Sequence, residues 1–236
     1  MISKDQNIAL LTVGKAASEN SEWTDYAHYC LDRERGFRKE AFQHLDKFIK
    51  STESWTFEKR IAFVKFLFSF FEQVQEADYG PFPQPLNRKL VQPTLKKWCE
   101  TETTDGNPFR WYGTYYRSEE HLLKALEINP EDDAARQVIL SWWTYDMYYS
   151  LHHLPDGYIG EPFDDIQLGE KIKAQILQLT TPELKEQWTK ELEDDLELVK
   201  NYMDWQTSEH PDFEKWGLEN GKRTGYGLTR GYYDEK

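Results

Sequence analysis

A chain of 236 residues with 42 acidic against 29 basic side chains, a net charge of −13, is long enough to bury a core without disulfides or a structural metal. Its sign repels phosphate backbones and anionic lipid, so no nucleic-acid and no membrane partner is expected and a basic protein partner is favoured. Two isolated cysteines, Cys30 and Cys99, make no Cys-x-x-Cys pair, which argues against a disulfide framework or a zinc ribbon and for a reducing, cytoplasmic setting.

Residues 1–18 read as an N-terminal arm. The apolar run Ile8 to Val13, preceded by Lys4 and Asp5, is shorter than a secretory hydrophobic region. Between Ser21 and Ile49 two helices are predicted, broken near Arg35-Gly36, where glycine supplies an inexpensive stop. The second carries Phe37, Ala41, Leu45, Phe48 and Ile49 at three- and four-residue spacing. A third helix over Thr56 to Ala77 is apolar around most of its circumference and is predicted to be central and buried. Its greasiest part, Ile61 to Phe71, is broken by Lys65 and Ser69 and is too short to span a bilayer.

YGPFPQP, Tyr79 to Pro85, stops helix formation. A helix over Leu86 to Glu100 follows, with Pro93 as a kink or a late first turn. After a loop at Thr101 to Asn107 comes WYGTYYR, then a helix from Ser118 to Ile128 that Asn129-Pro130 ends. Glu131, Asp132 and Asp133 stand at the negative-charge-tolerant start of the next helix, which ends near Leu154-Pro155. Beyond the loop DGYIGEPFDD, helices are predicted over Ile166 to Leu179 and Pro182 to Gln206, the latter with Thr181 as N-cap and Pro182 at its first position. One domain over 19–210 is expected, with a glycine-rich, flexible tail at 211–236.

SEEHLLKALEINPEDDAA, residues 118–135, resembles the second helix and junction of a tetratricopeptide repeat, a helix–turn–helix unit of about 34 residues. Ser118, Leu122, Ala125, Leu126 and Pro130 match its spacing of small, large and proline positions. GFRKEAFQHLDKF resembles the same half-repeat, with Gly36 at the turn and Ala41 and Leu45 at packing positions. Ser118 and Ala41 are 118 − 41 = 77 residues apart, so the repeat is irregular. The resemblance implies an all-α fold of irregular antiparallel hairpins stacked as a tetratricopeptide-like array, in which small residues allow close helix approach. It also implies that the first helix of each hairpin lines the ligand-facing surface. The helix after Pro130 is such a first helix.

That helix carries SWWTYDMYYSLHHLP, residues 141–155. At helical spacing Val138, Trp142, Tyr145, Tyr149 and His152 share one face, and Ile139, Trp143, Met147, Ser150 and Leu154 a neighbouring one. Two aromatic faces on one helix need two partners, the rest of a core or something outside it. The predicted binding contacts are Trp142, Trp143, Tyr145, Tyr149 and His152, with Trp111, Tyr112, Tyr115 and Tyr116 as a second patch.

His152, His153, Asp156 and Asp164 offer ligand types for a metal-dependent hydrolase. Adjacent histidines on a helix diverge by about 100°, however, and no zincin spacing occurs. His28, His44, His121 and His210 are each read as lone surface or packing residues. With no nucleophile elbow and no phosphate-cradling glycine loop, no cofactor and no catalytic residue is expected. The expectation is a non-enzymatic protein-interaction module for a basic partner, one form of which is immunity-type neutralisation of a toxin.

Overall fold

A computed structural model describes residues 4–71 and 81–226, and among them every regular element is a helix and none is a strand. The fold is all-α, and no described helix is long and apolar enough to cross a membrane. Where a single domain over 19–210 was expected, contacts divide the chain into two compact units, Met1–Arg117 and Ser118–Lys236.

The first unit begins with a helix, α1 (Lys4–Ala17), in place of the expected arm. Leu10, Val13 and Ala17 are buried in the core, and a Cβ on Gly14 would lie 3.0 Å from Cys30 Cβ on α2 (Thr24–Glu34). Small residues at this stripe let α1 and α2 touch closely, which a bare apolar run did not announce. Gly36, at φ 87°, makes the turn from α2 to α3 (Arg38–Ser51), a conformation that costs glycine little. Ala41, Leu45, Phe48 and Ile49 are buried as their spacing predicts. Phe37 departs from that stripe: it precedes the helix and is 54% exposed.

Helix α4 (Phe57–Phe71) supplies the centre of this core. Phe63 has ring centroids of Phe48 at 4.8 Å, Tyr26 at 5.0 Å and Trp23 at 5.6 Å, spacings at which offset and edge-to-face pairs attract. Ala62, Lys65 and Ser69 are exposed, so one stripe of α4 faces solvent and the helix is not buried all round. Its expected continuation to Ala77 lies outside the described residues. The buried Tyr26 hydroxyl donates to the Pro81 carbonyl at 2.6 Å.

Pro93 falls directly after a π turn. The run α5 (Gln84–Leu86), the π segment Asn87–Val91 and α6 (Gln92–Thr101) is continuous, and the widened turn precedes the residue that has no N–H to give. In the following loop the Glu102 carboxylate accepts from the backbone N–H of Thr103, Thr104 and Asp105, which holds its carboxyl down at about 2. The loop then enters α7 (Asn107–Tyr116), a helix that the aromatic run WYGTYY conceals in the sequence.

The second unit contains α8 (Glu119–Ile128), α9 (Asp133–Leu151), α10 (Pro162–Leu177), α11 (Pro182–Thr207) and α12 (Phe213–Asn220). Leu140, Met147, Leu151, Ile172, Ile176, Trp188, Leu192 and Val199 form its core. The start of α9 is fixed by charge. Asp132 caps it by accepting from the Ala135 N–H at 3.0 Å. Asp133 accepts from the backbone N–H and hydroxyl of both Thr180 and Thr181, and these bonds hold its carboxyl at about 2 against the opposing effect of desolvation. The Thr181 hydroxyl is thereby committed to Asp133 and does not cap α11 as predicted.

Arg136, one turn on and 1% exposed, donates to the Pro130 carbonyl at 2.6 Å and to Gln175 on α10. A Cβ on Gly169 of α10 would come within 2.7 Å of Leu196 Cδ2 on α11, so these two helices are also in close approach. The predicted flexible tail at 211–236 instead holds α12, and residues 222–226 fold back: Asn201 Nδ2 donates to the Arg223 carbonyl at 2.9 Å. The remainder, 227–236, lies outside the described residues.

Truncating the centre of the aromatic core measures how far the first unit relies on it. Phe63→Ala is expected to lose about 3–5 kcal/mol in urea unfolding; a loss under about 1 kcal/mol would show that the surrounding rings do not depend on it.

Candidate functional site

Helix α9 answers for the aromatic stretch by dividing it. Ile139, Leu140, Met147 and Leu151 are buried, and Trp143 packs against the same core while its Nε1–H donates to Glu119 Oε2 at 3.3 Å. Trp143 is therefore a half-buried core residue and not a free contact. The opposite face carries Tyr145, Tyr148 and Tyr149 at 62%, 46% and 54% exposure, with Trp142 half-buried beside them. Tyr148 was not among the predicted contacts. Its i+3 relation to Tyr145 was the available signal, since residues three and four apart share a helix face.

The three tyrosines continue into the histidine pair. The His152 ring lies 5.7 Å from Tyr148, 5.1 Å from Tyr149 and 4.1 Å from His153. His152 Nδ1 donates to the Tyr149 carbonyl at 2.7 Å, which assigns the proton of the neutral ring to Nδ1. Asp146, Asp156 and Asp164 are exposed around this end of the helix. His152, His153, Asp156 and Asp164 do not bring three ligand atoms within 4.8 Å of one another, as a metal centre would require; among the described residues Asp25, His28 and His44 do. His28 and His44 are not lone, their rings standing 4.9 Å apart.

Beneath the exposed face lie two carboxyls, each bonded to a tyrosine. The Tyr226 hydroxyl donates to Asp195 Oδ1 at 2.7 Å, and the Tyr158 hydroxyl to Asp165 Oδ2 at 2.5 Å. The Tyr226 ring also packs at 5.5 Å from Tyr148, so the folded-back segment supports the outward tyrosine face from below. A Cβ on Gly225 would lie 2.9 Å from the Leu154 carbonyl oxygen, which is why glycine stands where the segment crosses the end of α9. Both aspartates are buried. Desolvation raises each carboxyl, that of Asp195 to about 6, with the neighbouring Glu191 and Asp194 adding to the rise.

The second predicted patch is packed in large part against the core of the first unit. Trp111 is 7% exposed and stacks on Phe68 at 5.0 Å, with Trp98 at 5.9 Å. Tyr112, Tyr115 and Tyr116 are partly buried against the same core, Tyr115 edge-on to Phe68 at 4.8 Å and Tyr116 hydrogen-bonded to Asn87. Helix formation by WYGTYY turns these rings inward. A groove of about 300 Å³ in the first unit is lined by Trp55, Phe57, Arg60, Pro93, Thr94 and Lys97. Its two cations are engaged: Arg60 donates to the Thr52 carbonyl at 2.9 Å, and the Lys97 ammonium sits 4.6 Å from the Phe57 ring centre. The thiols offer no nucleophile at neutral pH, since burial pushes Cys30 and Cys99 each up to about 12.

Comparison with protein-family models, curated proteins and solved structures finds no match.

The buried carboxyl under Tyr226 sets a pH dependence. The folded protein holds the Asp195 proton more tightly than the unfolded chain, whose ordinary value is 3.8. Its contribution to stability therefore declines as pH rises from about 4 to about 6 and is level above that. Asp195→Asn removes the titration, so the variant is expected to gain on the wild type across this window, by on the order of 3 kcal/mol at neutral pH. Urea midpoints of both proteins at a series of pH values check this; a constant difference between them would contradict it.

Proposed function

We propose that the outward face of α9 is a docking surface for a basic protein and that the chain acts by binding rather than by catalysis. The observation that carries this reading is the row of three exposed tyrosines, Tyr145, Tyr148 and Tyr149, on one face of an ordered helix. Tyrosine suits such a role because it offers a large rigid apolar area with a polar tip and only two side-chain torsions to freeze. The exposed carboxylates at its margin, Asp146, Asp156 and Asp164, together with the charge of −13, favour a cationic partner and speed its encounter.

The hairpin of α9 and α10 serves as one tetratricopeptide-like unit in this reading, with α9 as its ligand-facing first helix. Neutralisation of a basic toxin such as a nuclease is one form the charge would suit. Two free cysteines, both with raised thiols, fit a reducing cytoplasmic location.

Exposed side chains separate binding from folding. The double variant Tyr145→Ala, Tyr149→Ala is expected to unfold within about 0.5 kcal/mol of the wild type yet to lose at least about tenfold in affinity for the basic polypeptide that co-purifies with the wild-type chain from its own cells. Undiminished affinity by calorimetry would place the docking surface elsewhere; co-purification with no polypeptide would remove the basis for one.

A further inference from the structure

The first unit carries a second arrangement, independent of the tyrosine face. Asp25, His28 and Asp32 stand at i, i+3 and i+7 on α2, one face of that helix. His44 comes from α3, across the Gly36 turn. One ligand atom each from Asp25, His28 and His44 lie within 4.8 Å of one another. We propose that these three residues bind a divalent transition metal, zinc foremost, which staples α2 to α3.

The donor set and its geometry carry this assignment. Two imidazoles and one carboxylate are borderline ligands suited to zinc, with a water in the fourth position. His44 Nδ1 lies 3.1 Å from Asp25 Oδ1, close to the separation of about 3.3 Å that two bonds of about 2.0 Å make at a tetrahedral centre. The far nitrogen of the same ring, Nε2, lies 3.7 Å from Asp32 Oδ2. A carboxylate behind the non-ligating nitrogen is the arrangement that fixes tautomer and ring orientation in metal-bound histidine. His28 is exposed, which leaves the ion a path in from solvent, while the His44 and Asp32 side chains, at 27% and 21% exposure, are held by the two packed helices. A metal-free account, in which a protonated His44 bridges Asp25 and Asp32, leaves His28 only an edge contact with the His44 ring.

The whole chain, stripped by dialysis against chelator and titrated with Zn²⁺ in a calorimeter near neutral pH, is expected to take up one ion per chain with micromolar or tighter affinity. His28→Gln, at an exposed position that leaves the fold intact by circular dichroism, should weaken uptake by at least about tenfold, and Asp32→Asn by about tenfold through the orienting carboxylate. The double variant His152→Gln, His153→Gln should bind as the wild type does. No stoichiometric uptake, uptake unchanged in His28→Gln, or uptake lost in the His152/His153 variant would each overturn the assignment.

Discussion

A buried guanidinium is the constraint around which the second unit is arranged. Among the described residues Arg136 is the largest fully enclosed side chain, and a charge taken out of water is costly unless it is paired or hydrogen-bonded. Pro130, just before α9, and Gln175, near the end of α10, meet two of them. Asp132 and Asp133 lie one turn away with the opposite charge. Asp133 in turn gathers four donors from Thr180 and Thr181 at the entry to α11. The first turn of α9 is thus tied to α10 and to the entry of α11 by polar contacts, which help fix the rotation of α9 about its axis.

That rotation decides which aromatics are core and which are surface. With Ile139, Met147 and Leu151 turned inward, helical geometry leaves Tyr145, Tyr148 and Tyr149 outward. Such a row stands apart on a chain with a net charge of −13. It is braced rather than loose, because Tyr226 lies against Tyr148 while its hydroxyl is bonded to Asp195. A face supported in this way would have less freedom to lose if it bound a partner.

Elements announced by local chemistry were legible in the sequence. Gly36 at the α2–α3 turn, Pro182 at the start of α11 and the acids before α9 all stand where backbone rules put them. What could not be read was set by tertiary contact. Ala9, Leu10, Val13, Gly14 and Ala17 form a stripe only once α2 lies against it. The helix α7 is built from aromatic residues and a glycine, whose intrinsic helix preference is low, so packing and not propensity makes it helical. The two faces of 138–154 were correctly separated by spacing, but spacing does not say which one meets the core. His28 and His44 appeared solitary because their separation of sixteen positions, 44 − 28, is closed by a hairpin turn.

The pattern of helix pairing bears on how the chain reaches this state. Within the first unit α1 lies on α2 and α2 on α3, each against its successor, and in the second α10 lies on α11. Contacts between sequence neighbours need only short loops to close, and folds dominated by them form on microsecond to millisecond timescales. The bonds from Asp133 to Thr180 reach further along the chain, joining residues 47 apart. Closing that longer segment carries a larger loss of chain entropy, which the four bonds to the carboxylate of Asp133 help to offset in the folded unit.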